Sequence, residues 1–170
     1  RDFADHICIV GAGPAGLSMA RALQSKGIPL HVFERHSDVG GIWDIDNPGS
    51  PMYETAHFIS SKYLSNYADY PMPEDYPDYP SHRQILDYHR SFARAFELYR
   101  HIEFNTPVQN IQRQGEHWLV TLPDGDTRRY GGLVCASGIT WSPSLPDLPG
   151  RETFEGELQH SVNYRAPALV

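Results

Sequence analysis

Hydrophobic and polar positions change period several times along the chain, and each change predicts an element. Residues 6–10, HICIV, are a short β-branched run that meets GAGPAGL and then SMARALQSKG, where apolar positions recur at helical spacing until Gly27. Residues 29–33, PLHVF, form a second strand ending at Glu34. The first 34 residues therefore predict a βαβ unit with parallel strands and a right-handed crossover. In 81–98, SHRQILDYHRSFARAFEL, Ser81 precedes a stripe of Ile85, Tyr88, Phe92 and Phe96, which predicts a capped amphipathic helix. From 102 onward IEF, VQNIQ, HWLVTL and RRYGGLVCA read as short strands divided by turn signals at Gln114-Gly115 and Asp124-Gly125-Asp126. LVCASG at 133–138 is the most buried in pattern, a central strand returning beside the first. The fold class is α/β: a Rossmann-type domain with a parallel sheet, an inserted helix and an antiparallel β-meander.

Between the second strand and the amphipathic helix lie about forty residues crowded with Pro, Gly, Asp and Tyr, with DYP at 69, 75 and 78. A structureless stretch of that length inside a compact domain points either to a functional role or, for its DYP part, to a surface excursion stiffened by proline, and each DYP copy is too short to be a structural repeat.

Charge and composition remove several function classes. With 14 Lys and Arg against 21 Asp and Glu the net charge is -7 at pH 7, which gives no field for collecting nucleic-acid phosphates. No apolar run approaches the roughly 20 residues of a transmembrane span, and the start lacks a signal-peptide layout. The two cysteines, Cys8 and Cys135, lie in separate β-like runs, which predicts reduced, buried thiols and a cytoplasmic protein. Nine histidines show no metal-ligand spacing, so no metal site is expected. At 170 residues one domain is expected, and both ends, Arg1 and Val170, read as cut.

The chemistry concentrates at the first turn. Gly11, Gly13 and Gly16 form GxGxxG directly after a predicted strand and at the start of a helix: a tight turn, a close approach for a pyrophosphate, and close helix packing. The helix N-terminus adds free N–H groups and positive potential. Glu34, eighteen residues after Gly16, ends the second strand where a carboxylate accepts from ribose hydroxyls. A P-loop is excluded, because Leu17 and Ser18 stand where its Lys would be. Glu34 favours an unphosphorylated ribose, so FAD or NAD fits better than NADP, and the glycines do not choose between those two.

Several motifs taken in order carry a resemblance. GAGPAGL, Glu34-Arg35, GGIW at 40–43, SSK at 60–62, DYPMPEDYPDYPSH, ASG at 136–138 and FEGELQHSVNY at 154–164 together resemble the flavin-containing monooxygenases over essentially the whole chain. Phe154, Gly156, His160 and Tyr164 match that family's identifying FxGxxxH segment. The resemblance implies an enzyme, a monooxygenase using FAD and NADPH that passes one oxygen of O2, through a C4a-hydroperoxyflavin, to a soft nitrogen or sulfur of a small-molecule substrate. It implies that Gly11, Gly13, Pro14, Ala15 and Gly16 hold the FAD pyrophosphate, Glu34 the ribose, and that Arg35 lies near the adenosine. Gly41, Ile42 and Trp43 would pass the ribityl chain and flavin. Val108, expected in the strand after the amphipathic helix, would meet the adenine, and Ala136, Ser137 and Gly138 would close over the dinucleotide.

The pattern also departs from the family. An Asn that steadies the hydroperoxide usually precedes SSK, and Ile59 stands there, with Asn66 and His57 as candidate replacements, while Lys62 is a separate catalytic candidate for a role near flavin or NADPH. That leaves a second function open: an FAD-binding module, or an NADPH oxidase-like flavoprotein without productive oxygen transfer. Tyr164-Arg165 favours the amine- and sulfide-oxygenating branch over the Baeyer-Villiger one. A disulfide reductase lacks its paired cysteines, and an NAD dehydrogenase lacks a placeable acid-base set. No second GxGxxG occurs in the 170 residues. The organisation expected is residues 1–150 as the FAD-binding domain and 151–170 as the start of a linker toward an NADPH domain, FEGELQHSVNY being a hinge strand; a homo-oligomer is left open.

Overall fold

Strand β1 (Asp2–Val10), helix α1 (Pro14–Ser25) and strand β2 (Leu30–Phe33) realise the βαβ unit, with β1 and β2 parallel. The computed structural model describes residues 1–167. Short helix α2 (Lys62–Ser65) and long helix α3 (His82–Ala95) follow, then strands β3 (Ile102–Glu103), β4 (Asn110–Gln114), β5 (His117–Thr121) and β6 (Thr127–Cys135). All six strands join one sheet in the order β3-β2-β1-β6-β5-β4. β6 returns parallel beside β1, and β4, β5 and β6 form the antiparallel meander.

Strand alternation divides the core. Ile9 and Val32 face α1 and α3, packing with Leu17, Ala20, Phe92 and Leu98. Cys8 and Phe33 point to the opposite face, with Val120, Leu122 and Tyr130. Ser81 caps α3 in a capping box with Gln84, as its sequence predicts.

Four expectations are corrected. β1 begins at Asp2 rather than at His6, continuing across an irregularity between Phe3 and Ile7 because Arg129 of β6 holds the Asp2 carboxylate through two N–H bonds, at 3.2 and 2.6 Å. The end of β6 is not the most buried stretch: Leu133 and Val134 are half-buried and Cys135 is exposed. Its partner β5 reaches only residues 127–130, so residues 131–135 have no neighbour on that side among the described residues. Val108 lies in the loop before β4, not in a strand. FEGELQHSVNY is not a strand either; it carries a 3-10 turn at Ser161–Asn163 and leaves Phe154 exposed. Its pattern lacks period-two apolar positions, and it is fixed by Arg165, whose guanidinium donates to the carbonyls of Ser50 and Met52, each at 2.8 Å. Residues 168–170 of the expected linker lie outside the described residues.

Candidate functional site

The three glycines of the first turn are glycine for different reasons. Gly11 has φ +105°, and a Cβ there would sit 2.4 Å from the Ala136 carbonyl oxygen. A Cβ on Gly16 would sit 1.9 Å from the Gly11 carbonyl oxygen. Both are demanded by the close approach of β1, α1 and the end of β6. Gly13, the N-cap of α1, has φ −73°, which any residue adopts, and a Cβ there would meet only backbone atoms of Gly41, the nearest at 3.5 Å. The fold therefore tolerates a small side chain at Gly13, whose Cβ would rest in van der Waals contact with the Gly41 backbone. Pro14 opens the helix with its φ already fixed. The N–H groups of Gly13, Ala15 and Gly16 have no acceptor among the described residues and lie at the positive end of α1.

The opposing loop is held rigidly. Gly40 N–H donates to Ala12 O at 3.1 Å, and a Cβ on Gly40 (φ +121°) would strike Leu86 of α3 at 2.4 Å. Arg90 of α3 grips both flanks, donating to Asp38 at 2.8 Å and to Asp44 at 3.3 Å, while the Tyr99 hydroxyl donates to Asp38 at 2.8 Å. The turn it steadies, Gly41–Trp43, presents the N–H groups of Gly41 and Ile42, which also lack acceptors among the described residues. Trp43 is half-buried, edge-on to Phe58 at 4.8 Å, against a cluster of Met72, Ile85 and Tyr88.

Glu34 is 5% exposed. Ala12 N–H donates to its Oε2 at 2.7 Å and His36 N–H to its Oε1 at 2.9 Å. The carboxylate thus braces the glycine turn and keeps lone pairs for further donors. Arg35 is exposed and lies 4.1 Å over the Trp141 ring. The loop bearing Val108 is tied to the same end of β2 by Thr106 N–H to Glu34 O at 2.9 Å and Asn105 N–H to His36 O at 3.0 Å. Ala136 and Ser137 touch Gly11, and Gly138 (φ +79°) turns the chain beyond them. Gly11, Gly13, Gly16, Glu34, Gly41 and Ala136 are thus brought into one site.

The catalytic candidates are placed elsewhere. Lys62 is 5% exposed, and its ammonium donates to the carbonyls of Glu74 at 2.8 Å, Tyr76 at 2.5 Å and Pro73 at 3.4 Å. It ties the DYP-rich excursion closed by giving the backbone carbonyls of Pro73, Glu74 and Tyr76 one charged donor. Asn66 donates its amide to Lys62 O and Tyr63 O, at 3.2 and 3.3 Å, and so finishes α2. His57 is exposed, its Nδ1 2.8 Å from Thr55 O. Ile59 is 98% exposed.

Sequence reasoning missed Arg90, Trp141 and the pair formed by Tyr67 and His89. The Tyr67 ring stacks on Phe92 at 3.7 Å, and its hydroxyl is 3.1 Å from His89 Nδ1 and 3.4 Å from Pro14 O, beneath the glycine turn. Burial pushes the His89 imidazole down to about 4. The aromatic richness of 67–76 was the available signal for Tyr67; a histidine on the apolar face of a helix carries none.

A family model described as FMO-like, flavin-binding monooxygenase-like, matches residues 4–170. Flavin-containing monooxygenase 1 of Oryctolagus cuniculus is 33% identical, over 98% of this chain and 34% of its own length. The Homo sapiens flavin-containing monooxygenase 1 is 31% identical over the same shares of each chain. Among solved structures, S-allyl-L-cysteine S-oxygenase from Allium sativum superposes with a TM-score of 0.85 at 29% identity, over 95% of this chain and 43% of that one. An oxidized steroid monooxygenase bound to NADP superposes with a TM-score of 0.73 at 28% identity, over 99% of this chain and 32% of that one. The chain spans about a third of the length of the curated relatives it matches.

Proposed function

Because the chain belongs to the flavin-binding monooxygenase-like family, we propose that residues 1–150 are the FAD-binding domain of a flavin-dependent monooxygenase that uses NADPH and O2, and that residues 151–170 begin the path toward its NADPH-binding domain. The observation that carries the FAD reading is Gly13, a glycine required neither by its dihedrals nor by its neighbours, in contact with Gly41 beside N–H groups of both loops that lack acceptors among the described residues. A pyrophosphate would lie against this contact rather than within it, its oxygens accepting from N–H groups along the rim where the two loops meet, at the positive end of α1. Gly13, Ala15 and Gly16 would donate to it from one side and Gly41 and Ile42 from the other, with Glu34 accepting from the ribose and the Val108 loop beside the adenine. Bound FAD would supply the redox chemistry, oxidising NADPH and reacting with O2. The protein's part is to fix the dinucleotide, orient its ring beside Trp43 and limit water around it. The substrate is a small molecule with a soft nitrogen or sulfur. Among the described residues no helix is long and apolar enough to cross a membrane, and the two free cysteines support a cytoplasmic location.

Titration of the protein at its full natural length with FAD, followed by flavin absorbance, tests the reading; a protein that takes up no FAD refutes it. A second reading is favoured by one observation: Ile59 is 98% exposed and has no hydrogen-bond donor to offer. On that reading O2 leaves as peroxide rather than as oxygenated product. The ratio of H2O2 released to NADPH consumed separates the two, and Ile59→Asn is expected to lower that ratio.

A further inference from the structure

Among the described residues between Ser137 and Gln159, Trp141 alone is not exposed. The segment leaves β6 at Cys135, touches Gly11 at Ala136 and Ser137, turns at Gly138, and folds its indole back onto the end of β2. There the ring centroid is 4.1 Å from the Arg35 guanidinium and 5.2 Å from the His36 ring. Gly138 makes room for it, since a Cβ there would lie 2.9 Å from the indole Nε1, and Gly49 lies alongside, where a Cβ would be in ordinary contact with Cε3 at 3.8 Å. The Glu34 carboxylate, bonded to Ala12 on one side and His36 on the other, lies between the two anchor points of this strap.

A packing anchor is surrounded by aliphatic side chains and hides its N–H. Trp141 instead has a guanidinium, an imidazole and two glycines around it, and its indole N–H has no acceptor among the described residues. We infer that Trp141 and Arg35 form a clip for the adenine end of the dinucleotide, in which the flat base stacks on the indole–guanidinium pair while its ribose meets Glu34. Planar cationic and aromatic groups suit this task, because a purine offers a π-face to both. Trp141 is thereby a positioning residue with specificity for the adenosine half, and the inference rests on the FAD reading above.

The test compares wild type, Trp141→Ala, Trp141→Phe and Arg35→Ala at full natural length, titrated with FAD, ADP and FMN. Loss of one base–aromatic stack predicts that Trp141→Ala binds FAD and ADP about tenfold more weakly. FMN has no adenine, so its binding should be unchanged, and Trp141→Phe should restore most of the FAD affinity. Arg35→Ala should weaken FAD and ADP in the same sense. The clip is overturned if Trp141→Ala keeps wild-type FAD and ADP affinity, if FMN binding falls in step with FAD, or if Trp141→Phe is as weak as Trp141→Ala. A wild type that binds none of the three overturns the FAD reading itself, whereas a wild type that binds FAD beside an indifferent Trp141→Ala overturns only the clip.

Discussion

An alanine series through the glycine turn separates what the fold needs from what a ligand needs. At Gly13 the backbone is ordinary, φ −73°, and the added Cβ meets Gly41 at van der Waals distance, 3.5 Å. Restricting the unfolded chain stabilises Gly→Ala by about 0.4–1 kcal/mol where the conformation is compatible. Alanine is a poorer N-cap than glycine by a similar amount, so Gly13→Ala should melt within about 2 °C of wild type. At Gly16 the Cβ would lie 1.9 Å from a backbone oxygen that has nowhere to move, so α1 must shift off β1. Overpacking of that kind costs about 3 kcal/mol, which in a chain of this size lowers Tm by about 6–12 °C. Ligand affinity should run the other way for Gly13. Its methyl would project beside the Gly13–Gly41 contact, where backbone N–H groups of both loops would meet a charged phosphate, and loss of one such bond weakens FAD by about 10- to 150-fold. Gly13→Val, whose branched methyls reach the Gly41 backbone, should abolish retention. Differential scanning fluorimetry and FAD titration read the two quantities. The reasoning is refuted if Gly13→Ala melts as low as Gly16→Ala, or if Gly13→Val still purifies with stoichiometric FAD.

Lys62→Met leaves three inward carbonyls without a donor and should cost about 2–4 kcal/mol, seen as a lower urea midpoint, while the spectrum of bound flavin stays unchanged; an unaltered midpoint would sink the structural assignment. Arg90→Ala frees both flanks of the Gly41–Trp43 turn and should lower stability by about 2 kcal/mol and also weaken FAD, in contrast to Lys62→Met, which touches stability alone. His89 is buried with its pKa lowered to about 4 from 6.5. The unfolded chain therefore binds a proton that the folded one refuses as pH falls from 6.5 toward 4, and stability drops by up to about 3 kcal/mol across that window. His31, His36 and His101, also lowered chiefly by burial, add to the same slope. His89→Leu should flatten it, and equal slopes for variant and wild type in denaturant titrations between pH 4 and 7 would refute the account.

Local signals account for what was legible. The βαβ unit, the Ser81 cap and the meander each rest on patterns a few residues long, where period, cap and turn chemistry agree. GxGxxG with Glu34 was likewise legible because β1 and β2 are adjacent and parallel, which brings Glu34 to Ala12 without help from distant chain. What failed depended on long-range partners. The burial of LVCASG was read from its letters, yet burial is decided by whether β5 extends beside it, and the pairing of β5 with β6 stops at Tyr130. Lys62 drew attention because it is one of two lysines among fourteen basic residues. Scarcity could not say whether its ammonium faced a ligand or three carbonyls eleven to fourteen residues away.

The glycines show the same division inside one motif. GAGPAG reads as three equivalent ligand-binding glycines, but two of them owe their identity to sterics with Ala136 and with each other. Only Gly13 is free of such constraint, and the atoms facing it belong to Gly41, from a turn that α3 holds through Arg90 and Leu86. The proposed pyrophosphate site is therefore the rim of a contact between two loops rather than a property of the first loop. The position of the second loop depends on an ion pair that spans some fifty residues of chain, from Asp38 to Arg90. That dependence is why Arg90, invisible to motif reading, belongs with the binding residues in any variant that aims to tune flavin affinity.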